Sequence, residues 1–554
     1  MAFQVSPGVE VKEIDATNVV PAVSTSIGGF VGAFTSGPVN QIITVGSEKE
    51  LAEVFGKPDD TTAESFLTAA SFLAYGNALK VVRVVGSTAK NATADGSGAD
   101  IDNVDNYEAQ TSSVWIARQQ GELGNSLKVE LAGPTGFATM TAASSFDSAP
   151  STSEYATNLG KTSAADEVHI AVIDEDGLIS GTPGTVLETF AFLSQASDAK
   201  KSDGSTNYYK NVINAQSQYI YWGSHDSTLT DAGEPLSTQS TYTDGGLVSD
   251  SMSGGVDGNT VGTAELQAGY DLLEDADTVD VNLLFGTADA DGSDVMAKYL
   301  IAIAEARKDC VAFVSPPTED TVNGGVNAVA NVKTWADGLP SSSYGVTDSS
   351  AVYVYDKYND VYRWIGAAGH VAGLCANTDG VADAWFSPAG MTRGQLRNVV
   401  KLAINPKRAD RDTLYKARIN PLVAFPGEGI QLFGDKTLQA KPSAFDRINV
   451  RRLFIVLEKA ISTAAKASLF EFNDEFTRAQ FRNMVEPFLR DVKGRRGLTD
   501  FLVICDETNN TGQVIDSNRF VCDMYIKPAR SINFITLNFI ATRTGVEFSE
   551  IAGA

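Results

Sequence analysis

Histidine is scarce in this sequence. His169, His225 and His370 are the only three, and they lie far apart along the chain. None stands in the spacing of a metal site or a nucleophile pair, and isolated histidines of this kind are ordinarily structural. Cysteine is almost as rare: Cys310, Cys375, Cys505 and Cys522 show no CxxC spacing. Cys310 precedes Val311-Ala312-Phe313-Val314 and Cys505 follows Phe501-Leu502-Val503-Ile504, so both read as buried, reduced thiols from a cytoplasmic folding environment. No run approaches about 18 apolar residues, and Met1–Pro7 has neither a cationic patch nor a long apolar core. The expectation is therefore no membrane span and no signal peptide, with exit from the cell by lysis or within an assembly. Positive charge is the remaining shortage. Lys and Arg number 43 against 69 Asp and Glu, a formal charge of −26, which argues against coating nucleic acid or lying on an anionic membrane.

What is present is enough for a large folded protein. A chain of 554 residues exceeds one compact core and predicts roughly two to four domains. Hydrophobic residues at 43% exclude a disordered chain. The charge is unevenly placed: residues 1–400 carry a net −31, whereas residues 401–554 carry +5. Two readings are open, an acidic outer domain turned to solvent, or an acidic body that pairs head to tail with the basic end of another copy.

The pattern along the chain predicts a multidomain α/β and α+β protein. Residues 1–25 read as an arm, with Val9-Glu10-Val11-Lys12 alternating in the strand period after Pro7-Gly8. An isolated terminal strand must join a sheet elsewhere. Residues 26–86 and 261–355 read as an α/β middle domain. Its candidate elements are strands at Ile42–Val45, Leu79–Val85, Val279–Phe285 and Cys310–Val314, and amphipathic helices at Thr62–Tyr75 and Asp294–Lys308. Residues 87–260, rich in Ser, Thr, Ala, Gly and Asp, read as a β-rich inserted domain with strands such as Val114–Ile116 and Leu127–Leu131. Ala351–Tyr355 and Val361–Trp364 predict a hairpin about Asn359-Asp360. Residues 356–528 form a C-terminal domain. It holds a helix over Arg451–Phe470 with Arg451, Arg452, Lys459 and Lys466 off its apolar stripe. A second helix, capped by Asp474, carries Phe481, Val485, Phe488 and Val492 and is expected to kink or break at Pro487. Residues 529–554 read as a strand, Ile532–Ile540, and a closing arm; apolar residues on both faces of that strand require cover on both sides.

No catalytic constellation emerges, and neither a cofactor nor a metal is predicted. Gly366–Gly373 lacks both phosphate-loop spacings and reads better as a turn into a tightly packed helix. Asp506-Glu507-Thr508-Asn509-Asn510 lacks the spacing of a calcium loop and reads as a polar turn. The basic cluster Lys493, Arg495 and Arg496 stands where a helix end would place it, to cap carbonyls or meet an acidic partner.

Several stretches, taken in order, are more specific. They begin with Ser6-Pro7-Gly8-Val9-Glu10-Val11-Lys12-Glu13-Ile14-Asp15. Next come Gly369-His370-Val371-Ala372-Gly373 with Thr378-Asp379, then Ile419-Asn420-Pro421 and Phe425-Pro426-Gly427-Glu428-Gly429-Ile430. The series closes with Ile448-Asn449-Val450-Arg451-Arg452-Leu453, Phe470-Glu471-Phe472-Asn473-Asp474-Glu475, and Phe488-Leu489 ahead of Gly497. In this order they resemble the tail sheath proteins of contractile-tailed phages, relatives of the sheaths of R-type bacteriocins and type VI secretion. The resemblance covers roughly residues 1–85 and 355–554 and not the inserted region. Arg478 departs from the family's usual aromatic.

The resemblance implies a virion structural protein that forms a homo-oligomer of stacked six-subunit rings around a tail tube. Terminal arms would add strands to neighbouring subunits, the candidates being Val9, Val11 and Ile14 at one end and Ile532, Phe534, Ile535, Leu537 and Phe539 at the other. Each backbone hydrogen bond of a shared strand would contribute about 0.5–1.5 kcal/mol. A head-to-tail contact that does not close builds a helix. Lys493, Arg495 and Arg496 are the candidate tube-facing or inter-subunit cluster. The implied partners are the tube, baseplate and tail terminator proteins, with no nucleic acid or membrane, and assembly in the host cytoplasm. Contraction would need no ATP. The competing readings are a sheath of a bacteriocin-like or secretion particle, an α/β enzyme built on residues 279–314, and a surface adhesin built on the Ser/Thr-rich insertion.

Overall fold

The computed structural model describes residues 23–107, 113–258, 261–289 and 293–533. They fall into two compact units, one of the described residues of 23–384 with 388–459, the other comprising 385–387 and the described part of 460–554.

A six-stranded sheet organises the larger unit, in the spatial order Gly345–Thr347, Val311–Val314, Leu283–Phe285, Gly28–Gly32, Leu79–Arg83, Ile42–Val45. Five strands run parallel and Ile42–Val45 closes one edge antiparallel. The apolar runs read from the sequence are buried because both faces are covered. Phe30, Val81, Leu283, Phe285, Val311 and Phe313 enter one core, packed with the helices Ala63–Leu73 and Ala368–Val381. The alternate residues Val31, Val82, Leu284, Ala312 and Val314 enter the other, packed with the helices Val295–Arg307 and Ala328–Asp337. Asp294 and Lys308 flank the Val295–Arg307 helix, Lys308 turning left-handed at φ 65° to stop it. The expected strand over Val279–Phe285 is shorter, Leu283–Phe285, because Val279 and Val281 lie in irregular chain, their carbonyls accepting from Arg307. The hairpin Val352–Asp356 and Val361–Ile365 forms as read and gains Val399–Leu402 as a third strand.

The inserted stretch is β-rich. Leu247–Ser251, Leu127–Ala132, Glu167–Asp174 and Thr185–Ser194 form an antiparallel sheet, and Asn91–Thr93, Trp115–Gln120 and Ile220–Trp222 a second. Trp115, Val129, Ile170 and Trp222 share a core distinct from those of the parallel sheet. Entry and exit meet: a Cβ on Gly258 would lie 2.8 Å from the Gly86 carbonyl oxygen. Arg83, 1% exposed, joins the two parts. Its guanidinium donates to the carbonyls of Phe34, Gly37 and Gln120 at 2.9, 2.7 and 2.8 Å. Burial pulls its pKa down to about 10 and Asp257 offsets part of that.

In the smaller unit, the Glu475–Gly494 helix packs on the antiparallel pair Leu498–Ile504 and Asp523–Pro528. Asp474 caps the helix, accepting from the Thr477 amide at 2.8 Å. Its buried stripe is Arg478, Phe481, Val485, Leu489 and Val492, with Leu489 where Phe488 was expected. Pro487 lies inside this one continuous helix. The residue is exposed, so the carbonyl it leaves free faces water.

The helix expected over Arg451–Phe470 runs Ile448–Ala465. Arg451 and Arg452 are buried, at 6% and 4% exposure, rather than off the apolar stripe. The reason is that each guanidinium has partners inside the fold: Ser343 and the rings of Tyr344 and Phe445 for Arg451, and Asp379 for Arg452.

Candidate functional site

The root of the N-terminal segment, at Thr25 and Ile27, is held by hydrogen bonds with other parts of the larger unit. Two elements supply it. The Ala368–Val381 helix sits against the Ala63–Leu73 helix because Gly369 and Gly373 leave no side chain between them. A Cβ at Gly369 would come within 2.3 Å of the Thr68 carbonyl oxygen, and one at Gly373 within 2.5 Å of Tyr75 Cδ2. The turn into a tightly packed helix read from Gly366–Gly373 is what forms. This packing places Asp379 beside Arg452, whose guanidinium meets the carboxylate at 2.6 Å with both side chains under a tenth exposed.

The same Arg452 donates to the Thr25 carbonyl at 3.2 Å and the Cys375 carbonyl at 3.3 Å. Thr25 Oγ1 donates to Asp379 Oδ2 at 2.7 Å. Burial disfavours the charged guanidinium, but Asp379 and Cys375 outweigh it and hold the Arg452 pKa above its ordinary value. Asn282 donates its backbone N–H to the Ile27 carbonyl at 2.9 Å. A shallow surface depression lies alongside, lined by Ser24, Thr25, Asn282, Arg452 and Lys459 among others. Lys459 is ion-paired to Asp280 across its rim. This arrangement ties Thr25 to the buried Arg452–Asp379 pair. It is a clamp on the chain that leads back to residues 1–22.

In the smaller unit the basic cluster ends the Glu475–Gly494 helix. The Arg496 amide donates to the Lys493 carbonyl at 3.1 Å and the Gly497 amide to the Val492 carbonyl at 2.9 Å, with Arg496 at φ 68°. That is a Schellman stop. Lys493 pairs with Asp500 at 3.0 Å and Arg495 with Asp491 at 3.7 Å. Trp385 donates its indole N–H to the Arg495 carbonyl at 3.1 Å, and the Arg495 guanidinium lies 5.1 Å from the Trp385 ring. Asp506–Asn510 forms the polar turn expected, the Asp506 carboxylate accepting from Thr508 N–H and O–H.

Sequence reading missed the surface between the two long helices. Phe470, Phe472 and Phe476 are 105%, 83% and 75% exposed. Phe470 stands at φ 69°, a costly backbone for a bulky residue. Asn473 anchors this turn, donating to Asn510 Oδ1 and the Arg519 carbonyl at 3.2 and 2.8 Å. Arg478, where an aromatic was expected, is 5% exposed and donates to Asn473 Oδ1 at 2.9 Å. The signal available was the pairing of Phe470 and Phe472 around Glu471, two large apolar groups on one short turn without a helical or strand period.

Of the expected arm residues, Val9, Val11 and Ile14, and Phe534, Ile535, Leu537 and Phe539, lie outside the described residues. Ile532 is described, in irregular chain and 82% exposed. The three histidines stay apart. His370 is buried against Tyr75, His169 stacks on Phe146, and His225 meets Tyr208 and Tyr209. Among the described residues no group of three or more His, Cys, Asp and Glu could hold a metal ion, and no helix is long and apolar enough to cross a membrane.

Three family models match successive stretches of the chain. They are the N-terminal region of tail sheath protein Gp18 domain III over residues 25–84, the phage tail sheath protein central domain over 259–438, and the phage tail sheath C-terminal domain over 440–542. The tail sheath protein of Vibrio phage KVP40 is 34% identical, over 99% of this chain and 99% of its own. The chain belongs to the phage tail sheath family. The tail sheath protein of Enterobacteria phage T4 is 33% identical, again over 99% of both chains. Solved structures agree in fold. The sheath tail protein of Listeria innocua superposes with a TM-score of 0.54 at 11% identity, covering 92% of this chain and 96% of its own. The sheath of an extracellular contractile injection system, PVC, in its contracted state, gives 0.52 at 12% identity, covering 98% and 99%. This sheath protein is therefore a virion structural component.

Proposed function

We propose that the chain polymerises in stacked six-subunit rings around a tail tube. On a signal from the baseplate it contracts and drives the tube through the host envelope. The observation that carries this is similarity to named tail sheath proteins along the whole chain. The named relatives are phage proteins, which favours a phage tail over a bacteriocin or secretion particle. The tube, baseplate and terminator proteins are the partners, and assembly takes place in the host cytoplasm. The work is structural rather than catalytic, its energy stored when the sheath assembles.

Residues 1–25 and 529–554 are the arms that add strands to neighbouring copies. The Arg452–Asp379 clamp on Thr25 supports this reading, because an arm under load needs a root fixed in the core. An exposed Ile532 at the start of the other arm suits a segment covered by a neighbour. The middle domain is 26–86 with 261–355, the C-terminal domain 356–528, and the inserted region 87–260 faces outward. The matched family stretches leave residues 85–258 between them, which supports that division. Lys493, Arg495, Arg496 and the Phe470–Phe476 surface are contacts to the tube or to a neighbour.

Negative-stain electron microscopy of the purified chain, beside a chain lacking residues 1–20, tests the mechanism. Striated tubes or stacked rings that vanish on truncation are expected. If only monomers form, co-expression with the tube protein must produce tubes for the reading to stand. Small closed oligomers indifferent to the truncation would overturn strand exchange. Charge reversal at K493E, R495E and R496E is expected to abolish tubes; normal assembly would remove that cluster from the contact.

A further inference from the structure

Cys505 and Cys522 have no part in the mechanism above, yet the fold brings them together from 17 positions apart in the chain. Leu498–Ile504 and Asp523–Pro528 pair antiparallel, with Val503 opposite Met524 and Ile504 opposite Asp523. One step further along the same register sets Cys505 opposite Cys522. Facing residues in an antiparallel pair have Cα atoms about 4.5 or 5.5 Å apart, both inside the range of roughly 4.4–6.8 Å that a disulfide spans. Both thiols are free in the structure, Cys505 buried and Cys522 half-buried, so the pair meets solvent on the Cys522 side. Cys505 Sγ also points at the Val521 carbonyl, 3.8 Å away, on the partner strand.

We propose that Cys505 and Cys522 are a built-in redox site, in which peroxide oxidises Cys505 and Cys522 resolves it as an intramolecular disulfide. The Cys505 thiolate attacks one peroxide oxygen, the O–O bond breaks and the departing hydroxide takes a proton to leave as water. Cys505 is then a sulfenic acid. The Cys522 sulfur, losing its proton, attacks Cys505 Sγ, the S–O bond breaks, and a second water leaves. Two thiols and one hydrogen peroxide become one disulfide and two waters.

The division of roles follows from the surroundings. The Cys522 S–H beside it, and then Arg478 and Arg482 of the Glu475–Gly494 helix, favour the Cys505 thiolate over burial and the opposing Asp506, and hold its pKa down. Cys522, with the Cys505 sulfur, burial and Asp523 all against its charged form, is pushed up. The nucleophile and the resolving thiol are thus distinct. The bridge would tie the far end of the two-stranded sheet, Ile504 to Asp523, whose second strand continues through Pro528 into residues 529–554. It would do so once the protein has left a reducing cytoplasm.

The test uses the full chain. Folded protein is treated with hydrogen peroxide, blocked with an alkylating reagent, and digested without reductant for mass spectrometry. The expected result is loss of two thiols together and a peptide pair linked through Cys505 and Cys522. Cys310 and Cys375, wholly buried, stay reduced until the chain is denatured. In C522S, Cys505 is expected to accumulate as a sulfenic acid trapped by a dimedone probe, and in C505S, Cys522 is expected to resist that probe. Peroxide treatment that leaves Cys505 and Cys522 unlinked in the folded wild-type chain, or links Cys522 only between chains, overturns the proposal.

Discussion

Asp348 and His370 are buried in the larger unit at 2% and 1% exposure, and burial moves their pKa values in opposite directions. Desolvation raises Asp348 from 3.8 to about 7, against hydrogen bonds donated by the Ser315 hydroxyl and the Ser350 amide. The native chain then keeps a proton that the unfolded chain has lost, so stability falls as pH rises from about 4 to about 7. Desolvation lowers His370 from 6.5 to about 4. The unfolded chain then takes up a proton the native chain refuses, so stability falls as pH drops through that window. Over most of that range the two slopes cancel. D348N removes one of them, so relative to the parent the variant is expected to lose about 1.4 kcal/mol more per pH unit as pH drops from 6.5 to 4.5. Pulse proteolysis in urea at a series of pH values reads this, and parallel profiles would refute it. A second test concerns Arg452. R452M leaves Asp379 buried without its charge partner and is expected to cost about 3–5 kcal/mol, whereas R452M combined with D379L costs much less. Amide exchange at Ile27 and Asn282 follows the clamp directly.

At the level of elements, the contact between the Ala63–Leu73 and Ala368–Val381 helices depends on a missing side chain. Alanine favours a helix over glycine by about 1 kcal/mol, so Gly380→Ala, with open space around its Cβ, is expected to stabilise by up to that amount. Gly369→Ala meets a backbone carbonyl at 2.3 Å instead and is expected to lose about 1–3 kcal/mol from overpacking, beyond the propensity gain. Opposite signs from the same substitution in one helix, read as urea midpoints, would establish the close approach; equal signs would contradict it. The Phe470–Phe476 turn separates folding from assembly. Replacing Phe470 and Phe472 by Ser is expected to leave stability within about 0.5 kcal/mol, since neither is packed, and to abolish tubes in the microscope. Retained tubes would show that this surface makes no contact.

For the whole molecule, the parallel sheet draws its strands from both sides of the insertion, and the two ends of the insertion touch at Gly86 and Gly258. Residues 87–257 are therefore expected to be removable across a short linker, with the six-stranded sheet still folded. Arg83 would lose its Gln120 contact and keep Phe34 and Gly37. Protease resistance of the remaining larger unit, with far-ultraviolet circular dichroism of an α/β chain, checks this. A molten product would mean that the outer part holds the sheet together.

Local pattern alone determined much of this protein. The runs Cys310–Val314 and Leu79–Val85 read as buried strands and form over Val311–Val314 and Leu79–Arg83, Asp294 and Lys308 read as the ends of a helix, and Asp474 read as a cap, because each follows from side-chain period or capping within a few residues. The family, too, was legible in motifs spread from Ser6 to Gly497. What no local pattern contains is pairing at long range. Arg452 looks like a solvated cation until the fold sets Asp379 beside it, 73 positions earlier in the chain. Phe470 looks like a core residue until its turn faces outward. Cys505 and Cys522 look like two unrelated thiols until an antiparallel register aligns them. A charge, an aromatic ring or a sulfur takes its role from what desolvates it or lies opposite it, and only tertiary structure decides that.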